Sequence, residues 1–106
     1  MCKPETLHHN KHGYVAWCEC CCFMNIAFGT WMIALEPHLV ESFISSLSLD
    51  VGYYEGRISI VEKSFVYNTD SPQVKLVLNH TEASHLLDLL NNAWLVHQVN
   101  ELLKKE

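Results

Sequence analysis

Polar and apolar positions divide the chain into a short polar lead and a patterned body. Residues 1–12 (MCKPETLHHNKH) carry no apolar period and read as an arm, ordered only if something ties it down. Gly13 opens a first strand, Tyr14–Cys18, and Glu19–Cys22 forms the connection that follows. Phe23–Leu35 is a long run of β-favouring residues with a bend or bulge at Gly29. Both of its faces are apolar, which suits a central strand, one covered on both sides, or a subunit contact.

Pro37 fits the first turn of a helix, where its missing N–H costs nothing. Leu39, Val40, Phe43, Ile44 and Leu47 follow at helical spacing, and Gly52 suits the stop. Gly56–Lys63 reads as a strand that Phe65–Tyr67 extends past a bulge. Asn68-Thr69-Asp70-Ser71-Pro72 is a turn, and Val74–Asn79 is the next strand. A last helix runs from near Thr81 to Lys105, with Asn79 and Glu82 spaced as a capping box, Thr81 an equally good cap, and a kink expected at Asn91-Asn92. Leu35, Phe43, Ile44 and Leu47 recur as Leu78, Leu86, Leu87 and Leu90, an echo that any two strand–helix junctions produce. The expected architecture is α+β: a four- to five-stranded antiparallel sheet in strand-strand-helix, strand-strand-helix order, with both helices on one face.

Composition narrows the class. The chain has 106 residues, 49% hydrophobic and 18% charged, which suits one packed domain spanning 1–106. The net charge is −5 and no basic run occurs, which argues against binding nucleic acid through its phosphates. The longest apolar stretch, Cys20–Leu35, is interrupted by Asn25, Gly29 and Thr30 and falls short of the roughly 20 residues of a membrane span. The lead is not a basic region followed by an apolar one, so the chain reads as cytoplasmic. In that compartment its five cysteines are thiols or thiolates, and an odd count with four in five positions is no disulfide framework.

Cys18-Glu19-Cys20-Cys21-Cys22 is the chemically distinctive segment. Cys18 and Cys21 make a C-x-x-C that, at a turn between two strands, becomes a knuckle able to offer two thiolates to a tetrahedral ion. Zinc suits such ligands best. A closed site needs two further donors, and Cys2, His8, His9 and His12 lie just upstream, with Cys2 and His12 the candidates carried forward. A metal would then pin the arm to the knuckle. Against this, Cys20 and Cys22 read equally well as small buried apolar residues on a strand face. A thioredoxin-type redox pair fits less well, because a strand and not a helix follows the motif.

His38 and His80 sit at helix starts as surface or cap residues, and His85 and His97 are 12 positions apart, too far for a helical metal pair. No phosphate loop, dinucleotide fingerprint, G-x-S-x-G or H-E-x-x-H occurs, so no catalytic residue is assigned. Aromatic residues and methionines crowd positions 14–32, which fits a core with some apolar sheet surface left for a second copy or another protein.

The run Gly13-Tyr14-Val15-Ala16-Trp17-Cys18 through Cys21, with Ile26-Ala27-Phe28-Gly29-Thr30, resembles a small uncharacterised bacterial family with a GY, C-x-x-C and AFG pattern and often a cysteine near the start. The resemblance covers about the first 40 residues and makes Cys2, Cys18 and Cys21 the pattern positions, with Cys20 and Cys22 as extras. No activity is attached to it. The expected role is therefore a non-catalytic interaction or structural module, with a thiol-based redox or metal-handling protein as the alternative.

Overall fold

The computed structural model describes residues 3–54, 65–69 and 73–104. Four strands, β1 (Glu5–Asn10), β2 (Gly13–Cys18), β3 (Phe23–Phe28) and β4 (Trp31–Leu35), form one antiparallel sheet in sequential order. Helix α1 (Pro37–Tyr54) follows, then β5 (Phe65–Asn68) and β6 (Lys75–Leu78), which pair with each other as a separate two-stranded sheet, then α2 (His80–Lys104). The class is α+β. The expected four-stranded antiparallel sheet is present, with all four of its strands drawn from the first third of the chain, and among the described residues the second half keeps the strand-strand-helix order as β5, β6 and α2. The strand expected over 56–63 lies outside the described residues.

Two elements differ from the sequence reading, each for a local reason. The lead contains a strand: β1 pairs with β2 from Glu5↔Trp17 to Asn10↔Gly13, with a bulge between Thr6 and His8 that breaks the period-two signal. Asn10 closes the hairpin, its Oδ1 accepting from the amides of His12 (2.8 Å) and Gly13 (3.2 Å). The long run 23–35 is a hairpin and not one bent strand. Phe28 pairs with Trp31 across Gly29-Thr30, and Gly29 has φ +58°. Positive φ at the first central position alone is the signature of a type II′ turn, which glycine satisfies without a steric penalty.

The sheet's inner face presents Val15, Trp17, Met24, Ile26 and Phe28, successive partners across β2 and β3. Both helices cover this face, α1 against β3 and α2 against β1 and β2. Leu86, Leu89, Leu90 and Ala93 of α2 are fully or almost fully buried there. Helix α1 runs past Gly52 to Tyr54 because Val51 and Tyr54 still pack on the core, which outweighs the roughly 1 kcal/mol cost of a helical glycine. Asn79 caps α2 reciprocally with Glu82: Glu82 N donates to Asn79 Oδ1 at 2.7 Å, and Asn79 N donates to Glu82 Oε1 at 2.9 Å. The helix continues as one element through Asn91-Asn92, about 37 Å in length.

Helix α2 tracks β2 from end to end. His85 stacks on His12 (4.0 Å between centroids), His97 meets Trp17 (4.8 Å), and Lys104 Nζ reaches Glu19 Oε1 at 2.7 Å. His97 is buried against Trp17 and Trp94, and desolvation lowers its pKa, with Glu101 partly opposing and Lys104 adding to the shift. His12 is lowered as well, by desolvation and then by His85 and Lys11. Both imidazoles titrate below the ordinary 6.5 when folded, so the unfolded chain binds more protons just under that pH. Stability is thus complete above about pH 6.5 and declines as pH falls through the folded values. Melting temperatures at pH 7.5 and 5.5 should fall with acidification, and the fall should shrink in His97→Gln. An equal fall in that variant would show that His97 is not a source.

Candidate metal centre

The β2–β3 connection is a four-residue tip, Glu19–Cys22, closed by Cys22 N donating to Cys18 O at 2.8 Å. Cys18 ends β2 and is buried, whereas Cys20, Cys21 and Cys22 are exposed on the tip. The sulfurs of Cys18, Cys20 and Cys21 all lie within 4.8 Å of one another. Cys18 Sγ and Cys20 Sγ are 3.8 Å apart. A tetrahedral ion with metal–sulfur bonds near 2.3 Å places its sulfurs about 3.8 Å apart, so the cluster could hold a metal ion once Cys20 is a free thiolate. Among the described residues it is the one group of three or more such donors this close.

Cys18, Cys21 and Cys22 are thiols, and Cys20 is in a disulfide. The Cys21 pKa is raised, first by its hydrogen bond with Cys18, then by desolvation and by the neighbouring sulfurs of Cys18 and Cys22. Crowded sulfurs resist sharing negative charge, and a cation between them removes that penalty.

The structure brings together the C-x-x-C pair, Cys18 and Cys21, and adds Cys20, which is neither buried nor on a strand. Cys22 is likewise exposed. His12 stands elsewhere: it occupies the β1–β2 turn, six residues along β2 from Cys18, a span of about 20 Å. Its ring stacks on His85 and meets Phe28 (6.2 Å), so it cannot share an ion with the tip. His8 and His9 pair with Val15 and Tyr14, near that same turn. Cys2 lies outside the described residues. Glu5 pairs with Trp17, so the chain enters β1 at the cysteine end of the sheet.

A family model for a family of unknown function, DUF6686, matches residues 1–106. The chain belongs to this family. No curated protein and no solved structure matches it. The DUF6686 match spans both sheets and both helices, so the cysteine tip lies within the family's matched region.

Two clefts flank the DUF6686 fold. One, of about 380 Å³, is lined by Cys21, Cys22, Phe23, Glu36, Pro37 and His38. The other, of about 390 Å³, lies between α1 and the β5–β6 hairpin, where the Tyr67 hydroxyl donates to Asp50 Oδ2 at 2.9 Å. Among the described residues no helix is long and apolar enough to cross a membrane.

Proposed function

We propose that the chain is a small non-catalytic metal-binding module whose hairpin tip holds zinc between Cys18, Cys20 and Cys21. The convergence of three sulfurs within 4.8 Å at the end of β2 carries this reading. Thiolate ligands and tetrahedral spacing favour zinc among common cations. Cys2, three residues before Glu5, is within chain reach of the tip and is the candidate fourth ligand, which would fasten the lead to the sheet. Zinc binding requires Cys20 as a thiolate, so the reduced chain is the competent form.

The Cys20 disulfide supports a second reading, thiol–disulfide handling, because the Cys18 sulfur lies 3.8 Å from Cys20. One experiment separates the two. Protein purified under reducing conditions should carry about one zinc per chain by elemental analysis, and oxidised protein far less. Less than about a tenth of a zinc in the reduced chain, with its thiols open to an alkylating probe, would leave only the redox reading.

A partner contact belongs to the same proposal. Tyr14, Ala27 and Met32 form one cross-strand row on the sheet face away from the helices, and Tyr14 and Met32 are exposed. An apolar face of this kind suits a second copy of the chain. Sedimentation at tens of micromolar should show dimer, and a strict monomer would count against it.

A further inference from the structure

We propose that the tip moves its own disulfide: Cys18 is an internal exchange thiol that displaces the partner of Cys20 and draws the bond into the tip. The inference rests on the thiol–disulfide reading of the centre and names its nucleophile, its electrophile and the sulfur it releases.

Observations on two different residues place the reaction. Cys20 is in a disulfide, so its sulfur is an electrophile. Cys18 is a thiol, and its Sγ lies 3.8 Å from Cys20 Sγ. Cys20 has no S–H to give, so Cys18 is the donor in that contact. Loss of the Cys18 proton turns the same contact into the approach of a thiolate to a disulfide sulfur. Burial directs the attack inward. Cys18 is 4% exposed at the end of β2, whereas Cys20 stands exposed on the tip. A shielded thiol held against one disulfide sulfur reacts within the chain far faster than with a solute, because the encounter is already made.

Cys21 is the third sulfur of the group and leaves the attack to Cys18. Its hydrogen bond with Cys18, then desolvation and the neighbouring sulfurs, raise its pKa and keep it a thiol.

The step conserves electrons. The Cys18 thiol gives its proton to water, its thiolate bonds to Cys20 Sγ, and the bond between Cys20 and its partner breaks. The partner sulfur leaves with the electron pair and takes up a proton. One disulfide is lost and one is formed, so no outside oxidant or reductant takes part. Cys18, Cys21 and Cys22 are thiols, so of the chain's five cysteines Cys2, which lies outside the described residues, remains as the partner within the chain. Strained or exposed disulfides are the labile ones, and a bond between residues two apart at an exposed tip is both. An outside dithiol then reduces it, its two sulfurs joining each other as Cys18 and Cys20 become thiols. Exchange thus leads from the disulfide form to the reduced tip.

The test incubates the oxidised full chain without reductant at mildly alkaline pH with an alkylating probe, followed by peptide mapping. Wild type should acquire label on Cys2 and an internal Cys18–Cys20 disulfide, faster as pH rises, because only the thiolate attacks. Cys18→Ala should release Cys2 at least about tenfold more slowly, and Cys21→Ala within about threefold of wild type, since only the former loses the positioned nucleophile. Wild-type mapping needs no variant to fold. Label on Cys18 with the Cys20 disulfide unmoved, or equal release in Cys18→Ala, would overturn the exchange role and leave a static disulfide. Untreated protein with no disulfide at Cys20 would overturn the thiol–disulfide reading itself.

Discussion

Replacing Gly13 by alanine should unfold most of the sheet's stability, by about 3–5 kcal/mol, while replacing Gly52 by alanine should add about 0.5–1 kcal/mol. The opposite signs follow from what each new methyl group would meet. A Cβ on Gly13 would stand 1.9 Å from Ala27 O and 2.9 Å from Ala27 C, with Phe28 Cα at 3.0 Å. These are backbone atoms of the neighbouring strand, so no side chain can rotate away. Relief requires β2 and β3 to separate where they pair Gly13↔Phe28 and Tyr14↔Ala27. The same region joins two turns, because Gly29 N donates to His12 O at 3.0 Å. Separation would therefore loosen both hairpin ends together. A Cβ on Gly52 meets nothing within 4 Å, and alanine is the better helix former. Urea unfolding midpoints for the two variants check the pair, and a Gly13→Ala protein as stable as wild type would show that the strands can part at no cost.

What the sequence made legible was what neighbours in the chain decide. The Asn79–Glu82 box, the start of α1 at Pro37 and the cysteine tip between two strands are all set by residues three or four apart. What it hid depended on longer-range pairing. β1 is a strand because β2 supplies its hydrogen bonds, and its bulge and histidines erase the alternation that would reveal it. The turn at Gly29-Thr30 lay between two apolar flanks, so one long strand and a hairpin had the same pattern until the register Ile26↔Ile33 distinguished them. The candidate ligands divided in the same way. Cys18 and Cys21 come together because a tight turn converts short spacing into proximity. His12 was misplaced because the intervening residues form an extended strand, which converts six positions into the length of the sheet. The alternative of a Cys20 buried on a strand face does not hold, because the tip projects it into solvent beside its neighbours.

Cys18→Ala should weaken zinc binding by at least about 100-fold, whereas His12→Ala should leave it within about threefold. Loss of a group that merely supports a ligand already costs 10–100-fold in typical sites, so loss of a direct thiolate should reach or pass the upper end of that range. The tip's geometry makes Cys18 the most consequential of the three. It is the buried member, fixed by its pairing with Phe23, while Cys20 and Cys21 stand on the exposed turn. Removing it leaves two sulfurs on a four-residue turn with no strand-held ligand to orient the ion. Alanine is the cleaner substitution, because a serine hydroxyl at this buried position would bring its own desolvation cost of about 1–3 kcal/mol if it found no partner. His12 serves as the matched control: it offers a metal-binding side chain but stacks on His85 at the far end of β2. Competition against a chelator of known affinity, with both variants reduced, reads the two effects on one scale. Cys18→Ala binding zinc as tightly as wild type would remove the strand-held sulfur from the proposed centre, and with it the geometric argument for a tetrahedral ion at the tip.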